Sequence, residues 1–155
     1  MANYYLDTSA LVKRYVTSEV GSLWIQQITD PATGPLILMS HIGLVEVAAA
    51  FARKERDGEI TVTERRQYLG LFVLDCQTQF HLLPATDTVL RLAAELTHRQ
   101  VLRAYDAIHL ATALQASQLL VGAGAMRLTF ISADGRLCSA AQAEGLMTDN
   151  PLAHP

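Results

Sequence analysis

Residues 3–15 read Asn3-Tyr4-Tyr5-Leu6-Asp7-Thr8-Ser9-Ala10-Leu11-Val12-Lys13-Arg14-Tyr15. The run up to Leu6 predicts a short strand. Asp7 followed by two hydroxyl residues is helix-capping chemistry, so the chain passes from strand to helix with almost no loop. The alternation continues outward. A helical stretch over 19–29 carries Leu23, Trp24, Ile25 and Ile28, the turn-rich segment 30–35 follows, and Leu36-Ile37-Leu38-Met39-Ser40 predicts a second, buried strand. Helices are predicted over 42–56, from 63 onward, over 87–99, 104–119 and 136–144, with strands over 80–83 and 128–132. Strands alternating with helices predict a parallel sheet covered by helices.

A chain of 155 residues suits one domain, drawn as 1–150 with 151–155 as a C-terminal tail, and no internal repeat or linker interrupts it. Half the residues are hydrophobic and 17% are charged, which supports a packed core and excludes intrinsic disorder. Twelve Lys and Arg against fifteen Asp and Glu leave a net charge of −3, so bulk positive charge is not how this chain holds nucleic acid. No apolar run approaches the roughly 18 residues of a membrane span, and the first acid precedes the first basic pair, opposite to a signal peptide. A soluble, cytoplasmic protein is expected. Cys76 and Cys138 are far apart and form no C-x-x-C pair, which argues for reduced thiols rather than a disulfide framework or a zinc ribbon.

Most acids sit where solvent explains them, as Glu55, Asp57, Glu59 and Glu64 do at a helix junction rich in Arg and Lys, an ordinary solvated face. Four do not fit. Asp7 and Asp134 follow apolar strands, at the end where open parallel sheets place their ligand crevice. Glu46 lies in the apolar helix Ile42-Gly43-Leu44-Val45-Glu46-Val47-Ala48-Ala49-Ala50-Phe51-Ala52, which is predicted to be buried on most sides, so a cationic partner should face the carboxylate. Asp106 opens Tyr105-Asp106-Ala107-Ile108-His109-Leu110-Ala111 with no base on its own face. Each acid also has an ordinary role: an N-cap for Asp7, a turn for Asp134, a first-turn acid for Asp106, and a salt bridge to an Arg for Glu46. Jointly, however, four such acids repel one another unless divalent cations neutralise them.

Carboxylates without His or Cys partners select Mg²⁺ or Mn²⁺ rather than zinc. Ions held this way can bind a phosphodiester oxygen, generate hydroxide and stabilise the leaving oxygen, giving a 5′-phosphate and a 3′-hydroxyl. Ser132, two residues before Asp134 on the same side of a strand, is placed either to support such a site or to end the strand. His109, three residues after Asp106 on the same helix face, is placed to support the site or contact substrate, and reads best as a satisfied helix histidine. Lys13, Arg14, Arg53 and Arg103 are candidate rim bases for a polyanionic substrate.

Four segments together resemble the PIN domain, in particular the VapC-type toxins of prokaryotic toxin–antitoxin pairs. They are residues 5–13, Ser40 through Glu46, 105–111, and Phe130-Ile131-Ser132-Ala133-Asp134-Gly135-Arg136-Leu137. The resemblance spans nearly the whole chain, in the family's order and spacing. It implies a three-layer α/β/α fold around a mostly parallel sheet and a metal-dependent endoribonuclease with Asp7, Glu46, Asp106 and Asp134 as its acidic quartet. Thr8, Ser9 and Ser132 fall on the hydroxyl positions that support it. It also implies a homodimer and a cognate VapB-type antitoxin that blocks the site. Leu11, Leu23, Trp24 and Ile28 are candidates for the antitoxin's groove, and an internal core explains them equally well.

Two other classes compete. A PIN-fold module that binds RNA or antitoxin without cutting has no reason to keep four clustered acids. An aspartyl-phosphate enzyme built on Asp7 would resemble the dehalogenase-like phosphatases, which usually place a second Asp where this chain has Ser9. The segment Val121-Gly122-Ala123-Gly124-Ala125-Met126-Arg127 lacks both the third Gly and the Lys of a phosphate-binding loop.

Overall fold

The computed structural model describes residues 1–155. Five strands and seven helices alternate along it: β1 (Asn3–Leu6), α1 (Thr8–Tyr15), α2 (Ser22–Ile28), β2 (Leu36–Ser40), α3 (Gly43–Arg56), α4 (Val62–Thr78), β3 (Phe80–Leu83), α5 (Asp87–Arg99), α6 (Ala104–Gly122), β4 (Leu128–Ile131), α7 (Gly135–Ala143) and β5 (Met147–Asp149). The strands form one sheet in the order β3-β2-β1-β4-β5, and every neighbouring pair is parallel.

Because strand side chains alternate between faces, each strand feeds two cores. Tyr5, Leu38, Leu128 and Phe130 pack with α5, α6 and α7 on one face. Leu6, Ile37, Met39 and Ile131 pack with α1 to α4 on the other. The result is the three-layer α/β/α sandwich around a parallel sheet. From β1 the chain first adds strands on one side, β2 and β3, and later on the other, β4 and β5. The order therefore reverses at β1, and the crevice beyond the carboxyl ends of β1 and β4 is where such sheets bind ligands.

Several expectations are corrected. The second helix begins at Ser22 rather than 19, because 17–21 form turns that end at Gly21 with φ of +82°. The short strand β5 was not anticipated. Helix α3 is not buried on most sides: it buries Gly43, Val47, Ala50 and Phe51, while Val45 is 74% exposed. The C-terminal tail 151–155 packs on the domain: Pro151 is buried against Gly21 and His154 stacks on Trp24 with ring centroids 4.0 Å apart. Of the four apolar residues considered for a partner groove, only Leu23 stands free at 69% exposure. Leu11 is in the core, Ile28 packs against it, and Trp24 is covered by His154. Both cysteines are free thiols, Cys138 buried and Cys76 half-buried. No helix is long and apolar enough to cross a membrane.

Candidate active site

A cleft of about 410 Å³ opens at the carboxyl ends of β1 and β4, and Asp7, Glu46, Asp106 and Asp134 all line it. Local rules put them there. Asp7 is the N-cap of α1 and Asp134 the N-cap of α7, so the ordinary capping role and a place in the cleft coincide at both residues. Since β1 and β4 pair directly, with Leu6 opposite Ile131, the two caps sit side by side. Glu46 and Asp106 come from the first turns of α3 and α6.

Three of the quartet commit oxygens to the protein and keep acceptor capacity for something else. Asp7 Oδ1 accepts from Ser9 Oγ at 2.7 Å and from the Ala10 amide at 3.0 Å, whereas Oδ2 accepts only from Ser132 Oγ at 2.6 Å. Asp134 Oδ1 takes the amides of Arg136 and Leu137 and Oδ2 takes no donor. Glu46 Oε1 accepts from Thr8 Oγ1 at 2.9 Å and from His109 Nε2 at 2.5 Å, and Oε2 is free. Asp106 accepts no hydrogen bond from the protein although it is only partly exposed.

The hydroxyl residues tie the cluster together. Ser132, with no exposed surface, donates to Asp7 and accepts from the Asp134 amide at 3.0 Å. Ser9 donates to Asp7 and accepts from the Ala133 amide at 2.9 Å, which clamps the start of α1 to the end of β4.

Sequence reasoning undervalued His109. It is indeed satisfied, but by two groups that link the core to the cleft: its Nδ1 faces Tyr5 Oη at 2.8 Å and its Nε2 faces Glu46. A carboxylate only accepts, so Nε2–H donates to Glu46, while Nδ1 pairs with the Tyr5 hydroxyl. Tyr5 is fully buried and stacks on Phe130, so the histidine that orients Glu46 is itself held by the sheet. The i+3 spacing from Asp106 was the available signal. The group that faces Glu46 is this histidine, not an arginine.

The electrostatics divide the acids. Burial pushes the Asp7 carboxyl up, and His109, Ser132, Ser9 and the Ala10 amide only partly offset it. Asp106 is also raised, first by burial and then by the charges of Asp134 and Asp7, against the opposing pull of His109 and Arg103. For Glu46 burial acts upward too, yet the hydrogen bonds from His109 and Thr8 and the charge of His109 outweigh it and hold the carboxyl below its usual range.

The rim bases separate. Arg53 and Arg103 line the cleft, are exposed and form no ion pair. Lys13 also lines it but is only 6% exposed and is paired with Glu19. Arg14 does not belong to the site. Its guanidinium turns away to bond Asp75 at 2.9 Å, Thr29 and Gln79. Successive helix residues diverge by about 100°, so only one of a Lys-Arg pair can face the cleft. Lys54 and Glu19, which the sequence did not single out, also line it.

No group of three or more His, Cys, Asp or Glu side chains is placed to hold a metal ion together. Mg²⁺ needs none, since it keeps several waters and is bound through one or two carboxylates. Glu46, Asp106 and Asp134 each keep an uncommitted carboxylate oxygen in the cleft, the donor chemistry that a hard, partly hydrated cation takes from one or two carboxylates.

Comparison with known proteins agrees with this architecture. Residues 4–142 match the model of the PIN domain family. The chain is 34% identical over 148 residues to ribonuclease VapC47 of Mycobacterium tuberculosis, covering 95% of this chain and 96% of that protein. Among solved structures it is similar to the sarcin–ricin loop cleaving toxin VapC20 of Mycobacterium tuberculosis, with a TM-score of 0.61 at 15% identity over 93% of this chain and 96% of that one. It is similar also to VapBC2 of Rickettsia felis bound to a DNA fragment from their promoter, with a TM-score of 0.60 at 12% identity over 96% and 98%. A family match over most of the chain, a VapC relative aligned nearly end to end and a shared three-layer fold lead to one conclusion: this chain belongs to the PIN domain family, beside its VapC-type members.

Proposed function

We infer that this chain is a Mg²⁺- or Mn²⁺-dependent endoribonuclease, the toxin of a toxin–antitoxin pair. The observation that carries the inference is the Asp106 carboxylate, partly withdrawn from water, without a protein donor, and facing two further acids. Such an arrangement raises the energy of the empty protein and is relieved by a divalent cation. The ribonuclease name of the VapC47 relative supports RNA as substrate, and the complexes among the structural neighbours support a VapB-type antitoxin.

Asp7, Glu46, Asp106 and Asp134 would hold the metal, which when bound supplies polarisation of the scissile phosphodiester and activation of a water. The chain's own residues do the rest. Ser9, Ser132 and the Ala10 amide fix the Asp7 carboxylate, so its Oδ2 is aimed before any ligand arrives. Thr8 and His109 both bind Glu46 Oε1, which turns Oε2 outward as the free acceptor. Arg53 and Arg103 offer their guanidiniums to backbone phosphates, which the four acids alone would repel. Hydrolysis leaves a 5′-phosphate and a 3′-hydroxyl. We place the protein in the cytoplasm, where RNA is met.

The test is cleavage of pooled RNA by the purified protein with Mg²⁺ or Mn²⁺, with an EDTA control and the Asp106→Asn variant. Cutting should require both the metal and Asp106, with the variant at least about 100-fold slower. Undiminished cutting by Asp106→Asn would sink the assignment. RNA binding without cutting by the wild type would leave a PIN-fold binding module instead.

A further inference from the structure

The cleft has a basic wall opposite its acids, and that wall is not equally available. Arg53 and Arg103 are free, whereas Lys13 and Lys54 are both engaged by one carboxylate. Glu19 Oε2 lies 3.0 Å from Lys13 Nζ, and Glu19 Oε1 bonds Lys54 Nζ. A lysine as buried as Lys13, at 6% exposure, requires an anionic partner, and Glu19 is the one it has. Lys54 has a second partner in Glu59 at 2.7 Å, so it does not depend on Glu19 in the same way.

Two ammonium groups, each holding a different oxygen of one oxyanion, is how a pair of lysines grips the two non-bridging oxygens of a phosphodiester. The Glu19 carboxylate is presented there by a pinned loop. Its amide donates to Val16 O at 3.1 Å, its carbonyl accepts from the Ser22 amide at 3.1 Å, and two residues later Gly21 is wedged against Pro151. The two lysines hold Glu19 below its usual carboxylate range despite burial acting the other way, so it stays charged.

We propose that Lys13 and Lys54 form a subsite for an RNA backbone phosphate next to the scissile bond, and that Glu19 occupies this subsite at rest. RNA then enters by exchanging its phosphate for the Glu19 carboxylate between the same two ammoniums. The proposal rests on the ribonuclease reading and adds to it a built-in competitor that lowers affinity for any RNA lacking further contacts. It accounts for why one acid is held between two bases inside the cleft, leaving a net positive charge there.

The experiment measures binding of a fluorescent single-stranded RNA to the cleavage-deficient Asp106→Asn protein at fixed Mg²⁺. Adding Glu19→Gln should tighten binding by about fivefold. Lys13→Met, which keeps the apolar stem, should weaken binding and abolish the Glu19→Gln gain when the two are combined. Glu144→Gln removes one charge from a half-exposed pair with Arg99 outside the cleft and should change nothing. Unchanged or weaker binding with Glu19→Gln overturns the proposal, as does an equal gain with Glu144→Gln. If Glu19→Gln does not fold, Lys13→Met alone decides, and undiminished binding by it is equally fatal. Failure of these arms beside intact metal-dependent cleavage by the wild type removes the subsite alone. Absence of both binding and cleavage removes the ribonuclease reading with it.

Discussion

Asp106 is where stability and activity pull apart. Its carboxyl is raised by burial and by two neighbouring acids, so the charged form is a liability in the metal-free protein. Above the folded pKa the penalty is fully present, and below the ordinary value near 3.8 it vanishes because folded and unfolded chains are both protonated. Asp106→Asn is therefore expected to raise the melting temperature of the metal-free protein at pH 7 by about 2 °C, a small gain because the group is partly solvated. The gain should disappear in scans near pH 3.5. Mg²⁺ should raise the melting temperature of the wild type and do so less for the variant. Calorimetry at the two pH values, with and without Mg²⁺, checks all of this, and a variant less stable at pH 7 would refute it. Glu46 has the opposite sign: its lowered carboxyl stabilises above its ordinary value near 4.5 and loses that contribution as acid protonates it.

At the scale of elements, the site is made from helix starts. Asp7 and Asp134 cap α1 and α7 with the same oxygens that fix their carboxylates at the cleft. The two roles of Asp7 are separable. Asp7→Asn keeps a cap acceptor and should preserve the fold while abolishing cleavage, whereas Asp7→Ala should abolish cleavage and also cost about 1 kcal/mol in urea denaturation. Equal stability of the two variants would contradict the capping role. Four of the five strands were legible because each is an apolar run bounded by turn residues. The fifth, Met147–Asp149, has one apolar residue in three and is defined only by its pairing with β4. Lys13 and Arg14 show a different limit. Both end the same short helix, and only the packed positions of α2, α4 and β3 reveal that Arg14 serves Asp75, Thr29 and Gln79 instead of the cleft. The quartet stood out in the sequence because acids beside apolar strands and on an apolar helix lack local company. The partner of Glu46 did not, because His109 is 63 residues away and only the fold brings them together.

For the molecule as a whole, the C-terminal segment acts as a buttress. A Cβ on Gly21 would come within 2.2 Å of Pro151 O, and the +82° φ is itself unfavourable for any other residue. Gly21→Ala should cost about 2 kcal/mol and push residues 151–155 off α2. Because Trp24 is the only tryptophan and stacks on His154, a change in its fluorescence reports that displacement directly. An unchanged spectrum and melting point would show that the segment is dispensable. The order of the sheet has a consequence for the cell that makes this protein. Asp7 is among the first residues synthesised, yet the hydroxyl that aims it lies 125 positions later, just past the end of a strand that must slot in beside β1. A half-made chain on the ribosome therefore carries acids but no assembled centre. On the proposed ribonuclease reading, the nascent polypeptide would be unable to cut RNA until β4 has emerged and brought Ser132 to Asp7.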